Sequence, residues 1–119
     1  MAAANLDTNA LDAKFNDIKA TTGTALDATD GGVYTVANAD ERTLLIIQNT
    51  DGTNAENVTI KAPAKPALGK GSAFADKVVS VAKSGIAVAM VESMRYMEAD
   101  THTVKIAGSA DVKVSVIKM

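Results

Sequence analysis

Short segments rich in β-branched residues, separated by turn signals, constrain the fold of this chain more than any other feature. Most of these segments alternate apolar with polar residues, which is the period of a strand with one buried face. Several such strands with regular turns predict an all-β fold, a single antiparallel β-sandwich of about seven or eight strands. The predicted strands cover residues 33–36, 42–49, 57–62, 77–82, 86–91, 102–107 and 111–118, with residues 94–97 as a short strand or a corner.

The strand at 42–49 differs from the others because four consecutive apolar residues, Leu44 to Ile47, place apolar side chains on both of its faces. This pattern predicts a central strand that is covered on both sides. In the alternating strands, the apolar set predicts the buried face. These sets are Val58, Ile60 and Ala62; Ile86, Val88 and Met90; Val104 and Ile106; and Val112, Val114 and Val116.

The first thirty residues differ in composition from the rest and are rich in Ala, Asp, Thr and Asn. We therefore predict an N-terminal arm or attachment segment over residues 1–30 and a β-sandwich domain over residues 31–119. Within the arm, Leu11, Phe15 and Ile18 recur at the spacing of one helical stripe. A short helix and an extended arm that orders on a partner both fit this segment.

Charge and composition exclude several classes of function. The formal net charge is -2 and no run of Lys and Arg occurs, which argues against binding to nucleic acid. The sequence has no Cys, so it offers neither a disulfide framework nor a thiolate metal site. No apolar stretch approaches the length of a transmembrane helix, and the N-terminus lacks a signal-peptide pattern, so no membrane partner is expected.

Candidate catalytic groups are few. His102 lies on the polar face of a predicted strand without a spacing that orients it, so we interpret it as a solvated histidine. Paired carboxylates can hydrolyse glycosides when they flank a cleft. The carboxylates of this chain are scattered over several loops, and a solvated acidic rim explains them better. We therefore predict no enzyme and no cofactor. The carboxylates considered are Asp27, Asp30, Asp40, Glu41 and Asp51.

The turn at residues 49–56 carries oxygen ligands at alternate positions, which calcium prefers. Gly52 falls too early for an EF-hand loop, and a hairpin turn explains the segment better, so no metal is predicted. Sugar-binding sandwiches usually present aromatic platforms. Aromatic residues are 3% of this chain, with no Trp, and only Tyr34 and Tyr96 could serve.

The order of segments resembles a family of small bacteriophage head proteins encoded near the major capsid gene. The resemblance covers about residues 25 to 119. It rests on the entry Asp-Gly-Gly-Val-Tyr-Thr-Val at 30–36, Arg-Thr-Leu-Leu-Ile-Ile-Gln-Asn-Thr at 42–50, Asn-Val-Thr-Ile at 57–60, Val-Val-Ser-Val-Ala at 78–82, Ser-Gly at 84–85 and Glu-Ser-Met-Arg-Tyr at 92–96.

This resemblance implies a capsid decoration, or cement, protein that binds the outer surface of the phage head, stabilises it and is assembled in the host cytoplasm. Its partner would be the major capsid protein, with a homotrimer or a monomer on each capsomer as alternatives. We expect attachment through Leu11, Phe15 and Ile18, with Arg95 and Tyr96 as a second choice. Methionines either fill core gaps or adapt to a partner surface; they are Met90, Met94, Met97 and Met119.

Three alternatives stay open on the sequence. The first is a head-fibre or tail structural component. The second is an adhesion or ligand-binding β-sandwich, and the third is a small hydrolase that uses loop carboxylates.

Overall fold

The alternating segments form strands in the computed structural model of the chain, which describes residues 3–6, 8–10, 23–38, 40–66 and 75–118. The predicted stripe of Leu11, Phe15 and Ile18 lies outside these residues and stays a prediction. The described residues form β1 (Ala4–Asn5), β2 (Thr8–Ala10), β3 (Thr24–Ala25), β4 (Gly32–Thr35), β5 (Arg42–Asn49), β6 (Glu56–Ile60), β7 (Lys77–Val81), β8 (Ile86–Glu92), the short helix α1 (Ser93–Tyr96), β9 (Thr103–Ala107) and β10 (Val112–Lys118).

Two sheets face each other across one core, which confirms the predicted all-β sandwich. The first sheet has the order β1-β4-β9-β6-β7, and the second has the order β2-β10-β5-β8, with β3 also pairing with β10. The long strands pair antiparallel, whereas β1 pairs with β4, and β2 with β10, in parallel. Strands β4 to β10 correspond one to one to the seven predicted strands, and β5 has the predicted bounds.

Aliphatic side chains from both inner faces fill the core, because alternate residues of each strand point to the same side. The apolar sets of β9 and β10 are buried as predicted, and so are Val58 and Ile60 of β6, whereas Ala62 follows the end of β6 and is half-buried. The largest fully buried side chains are Leu45, Ile47, Ile60, Ile106, Val36, Val58, Val81, Val91, Val104, Val112, Val114 and Val116. A buried hydrogen bond between side chains joins the two sheets: the Tyr34 hydroxyl and Thr43 Oγ1 are 2.7 Å apart.

The predicted boundary between an arm at 1–30 and a sandwich at 31–119 is wrong for the described residues. β1 joins the first sheet, β2 and β3 join the second, and Leu6 and Leu26 are buried in the core. These strands have only two or three residues each. Strands this short show no periodicity, and the Ala and Asn residues in them have weak β propensity, so their pairing is set by tertiary contacts.

Gly32 leaves space for the Leu6 side chain in the core. A Cβ atom at position 32 would lie 3.1 Å from both methyl carbons of Leu6. The neighbouring Gly31 has a φ of +70°, and a Cβ there would lie 1.9 Å from the carbonyl oxygen of Ile106. Close packing therefore requires a glycine at both positions, and Gly31 also adopts a backbone conformation that favours glycine.

The residues at 94–97, predicted as a short strand or a corner, belong mostly to α1, a single helical turn that follows β8. His102 is exposed, as expected, but lies in the turn before β9 with a φ of 56° instead of in the strand. Its Nδ1 lies 3.1 Å from the carbonyl oxygen of Ala37. A turn at this place explains why the predicted strand starts one residue too early.

Candidate protein-binding face

The outer faces of the two sheets differ in polarity. Polar residues dominate the outer face of the first sheet, for example Thr35, Thr59 and Lys105. The outer face of the second sheet carries a contiguous apolar surface on β5 and β8, which we call the apolar face. It consists of Leu44, Ile46, Ile86, Val88 and Met90.

Strand register brings the members of the apolar face together. Leu44 lies directly opposite Met90, and Ile46 lies directly opposite Val88. Ile86, Val88 and Met90 are 55%, 60% and 52% exposed, and the two β5 residues are half-buried. Single exposed hydrophobic side chains are ordinary on protein surfaces, but a contiguous set is typical of a binding surface.

The exposed side of β8 is the opposite of the one predicted. The sequence predicts Ile86, Val88 and Met90 as the buried set, but Ala87, Ala89 and Val91 face the core instead. The register with β5 places Ala87 opposite Ile47 and Ala89 opposite Leu45. Both β5 side chains are fully buried, and small alanines beside them suit the limited width between the sheets.

β5 is central, as predicted, because it lies between β10 and β8. The expectation that it is covered on both sides is wrong, since Leu44 and Ile46 are only half-buried on the outer face. The apolar residues on the two sides of β5 therefore belong to different surfaces. One side packs in the core, and the other side forms part of the apolar face.

Charged residues border the apolar face where β8 ends. Arg42 of β5 lies opposite Glu92 of β8, and Arg95 Nε donates to Glu92 Oε2 at 3.2 Å. An apolar centre with a polar rim is the usual anatomy of a protein–protein interface.

Arg95 and Tyr96, the second choice for attachment, lie at this same end of the apolar face. Together with Met90, Glu92 and Lys77 they line a cavity of about 300 Å³. Tyr96 is half-buried and packs against the core, whereas Arg95 is exposed.

The methionines divide between the two interpretations of the sequence. Met97 is 3% exposed and belongs to the core. Met90 is an exposed member of the apolar face, Met94 of α1 is exposed, and Met119 lies outside the described residues.

Three carboxylates meet at the end of the sandwich, at the turn between β5 and β6. Oxygens of Asp51, Glu56 and Asp111 lie within 4.8 Å of one another, so these are residues that could hold a cation. Hydrogen bonds from the backbone N–H groups of Thr53 and Asn54 occupy Asp51 Oδ1. The same bonds hold the pKa of Asp51 below its usual value. Burial raises the pKa of Glu56, and the hydrogen bond and charge of Asp51 raise it further.

Two of the other carboxylates weighed for catalysis, Asp27 and Glu41, also support turns. Asp27 Oδ1 accepts the backbone N–H groups of Thr29 and Asp30, each at 2.9 Å. Glu41 Oε2 accepts the N–H of Ala37 at 2.8 Å. These contacts are those of local turn geometry, in which a carboxylate satisfies nearby backbone donors.

In the part of the chain that the structure describes, no helix has the length and apolar character needed to cross a membrane. Comparisons of the chain with protein-family models, with curated proteins and with solved structures each found no match.

Proposed function

We propose that this chain is a structural virion protein of the capsid decoration type, which binds the outer surface of a phage head and stabilises it. The observation that carries this proposal is the apolar face, with Ile86, Val88 and Met90 more than half exposed in one contiguous row. The sequence resemblance supplies the class of partner, the major capsid protein. The polarity difference between the sheets suits a body with one side bound and the other in water.

The expected strength of one contact is modest. Burying the exposed part of Ile86, Val88 and Met90 would contribute about 1 kcal/mol for each side chain. Part of this gain is offset by the loss of translational and rotational freedom on binding. A shell presents many equivalent sites, however, and a multimeric decoration protein would gain avidity from them. Weak contacts of this kind are therefore compatible with full occupancy of a shell.

The experiment measures binding to shells of the phage that carries the gene, assembled without this protein. Ile46→Lys places a charge at the centre of the apolar face and should weaken binding by about tenfold or more. Thr59→Lys is the matched control, because Thr59 is also half-buried and also points outward from a central strand, but on the first sheet. It should bind like the wild type. Unchanged occupancy of the shells by the Ile46→Lys variant would contradict the proposal.

The N-terminal attachment hypothesis needs point substitutions instead of a deletion. Removal of residues 1–22 would take Leu6 out of the core, and β1 and β2 out of the two sheets, so lost binding could come from unfolding. Phe15→Ser and Ile18→Ser each retain the strands and Leu6. If these residues attach the protein, both variants should stay folded and lose occupancy on shells. Full occupancy by both would remove this segment from the proposal.

Two measurements separate the alternatives. A head-fibre or tail component would appear in few copies per particle, whereas a decoration protein would appear in numbers that follow the symmetry of the shell. An adhesion module would bind glycans in a screen with and without calcium, where the Asp51, Glu56 and Asp111 cluster gives the calcium arm a defined target.

A further inference from the structure

The strand β8 forms one edge of the second sheet. It pairs with β5 on one side, and no other described strand pairs with it on the other side. Natural sheets usually protect such edges with Lys, Pro, a bulge or a very short strand. β8 is seven residues long, has the sequence Ile-Ala-Val-Ala-Met-Val-Glu, and contains neither Lys nor Pro.

The hydrogen-bond pattern shows which backbone groups face the open edge. In an antiparallel pair, alternate residues direct both their N–H and their C=O to the partner strand. The carbonyl oxygen of Gly85 accepts the N–H of Asn49 at 2.9 Å, so Gly85 and every second residue after it face β5. Ile86, Val88 and Met90 consequently direct their N–H and C=O groups away from β5, toward the open edge.

We propose that this edge pairs with the same edge of a second copy of the chain, antiparallel and with Val88 opposite Val88 on a twofold axis. In this register Ile86 lies opposite Met90 of the other copy. Each pair of facing residues in the centre of the two strands therefore has apolar side chains on the outer face of the sheet. The residues that face each other are also those whose backbone groups are directed to the edge, as an antiparallel ladder requires. A self-complementary surface of this kind is the isologous contact of twofold dimers.

Charge complementarity favours a second copy as the occupant. The exposed Lys83 precedes β8 and the exposed Glu92 ends it. Antiparallel pairing about Val88 brings Glu92 of one copy opposite Ser84 of the other, next to Lys83. Residues of opposite charge are thus neighbours at both ends of the paired strands, which favours this register over a shifted one.

The dimer would extend the proposed function, but dimerisation itself does not depend on that function. Pairing of the two edges joins both second sheets into one continuous sheet, because the twofold axis runs perpendicular to the sheet. The two apolar faces then lie on the same side and form one surface of twice the area. A homotrimer, which the sequence leaves open, would need a different contact.

The test measures the mass of the purified chain in solution as a function of concentration, without shells. Val88→Lys and Val88→Glu each place like charges opposite each other on the axis, and each should weaken the dimer by about tenfold or more. A mixture of the two variants should recover dimers, because an ammonium from one chain then faces a carboxylate from the other. Val78→Lys is the matched control, since Val78 is 58% exposed but lies on β7 of the other sheet.

A cross-link measures the register independently of these charge variants. The sequence has no Cys, so Val88→Cys introduces a single thiol. A short bis-maleimide should join two such chains, and it should leave Val78→Cys as a monomer. The proposal would be overturned by any of three results. These are a wild-type chain that is a monomer or a trimer, equal effects on dimerisation of substitutions at positions 78 and 88, and no recovery of dimers in the mixture of Val88→Lys and Val88→Glu. Dimers that do not bind shells would instead contradict the proposed function alone.

Discussion

The backbone of Gly32 lies against the side chain of Leu26, and a Cβ atom at position 32 would come within 2.7 Å of Leu26 Cδ2. The same position is close to Leu6, so one glycine accommodates both Leu6 and Leu26. The packing of these two core leucines therefore depends on the absence of one side chain in β4.

Gly32→Ala should destabilise the fold by about 1–3 kcal/mol, because a methyl group there forces two leucine side chains to move within a packed core. Gly52→Ala is the control, since the nearest atom to its added Cβ would be Ser84 Oγ at an ordinary 3.7 Å. Urea unfolding of both variants measures the difference. Equal stability of the two would contradict the packing assigned to Gly32.

Leu6→Ala should destabilise the protein by about 2–5 kcal/mol, the usual cost of removing a large aliphatic side chain from a core. Leu6 is 5% exposed, although it lies in the segment that the sequence places outside the sandwich. Val78→Ala, at an exposed position, should change stability by about 0.5 kcal/mol or less. A Leu6→Ala variant as stable as Val78→Ala would restore the idea of a separate arm.

Tyr34→Phe should cost about 1–3 kcal/mol, because it leaves the buried Thr43 hydroxyl without its partner from the other sheet. The double variant Tyr34→Phe with Thr43→Val removes both polar groups and should recover part of this loss. Denaturant unfolding of the two single variants and the double variant gives the coupling energy. Strictly additive losses would show that the inter-sheet hydrogen bond does not contribute to stability.

Stability should fall at alkaline pH because burial raises the pKa of Tyr34 above its ordinary value. A raised pKa in the folded state gives a contribution that is complete below the unfolded-state pKa of about 10 and is lost as the pH rises toward the folded-state pKa. Tyr34→Phe should therefore flatten the decline of unfolding free energy above about pH 10. A decline of the same steepness in Tyr34→Phe would assign it to other groups.

Asn49→Ala should destabilise the fold by about 2–3 kcal/mol. The buried Asn49 side chain donates to the carbonyl oxygens of Asn54, Val81 and Ala82 and accepts the N–H of Asp51. It thus ties the turn after β5 to the end of β7. Asn57→Ala is the control because Asn57 is exposed on β6, and thermal unfolding should separate the two variants by several degrees.

The longer strands are predictable from the sequence because their periodicity is local. Val112, Val114 and Val116 alternate with polar or smaller residues, and the structure buries all three. The short strands β1 to β3 are not predictable in this way. Each is defined by its partner in β4 or β10, and these partners lie far away in the sequence.

Only part of the candidate site can be predicted from the sequence. The row Ile86, Val88 and Met90 is recognisable as one face of a strand, but periodicity alone does not say which face of a strand is buried. Ala89 decides this, because it fits opposite Leu45 in the core where Val88 or Met90 would not fit as easily. An alternating strand with small residues on one side and large ones on the other is therefore a signal for an outward apolar face.

The parallel pairing of β2 with β10 has a consequence for the time course of folding. It joins Asn9 to Ile117, so the second sheet cannot be completed until the ribosome has released nearly all of the residues described. Contacts of such high sequence separation fold slowly, since long loops must close before they are stabilised. Until then β2 has no partner strand within its own chain, so the N-terminal segment can pair with a strand of a neighbouring polypeptide.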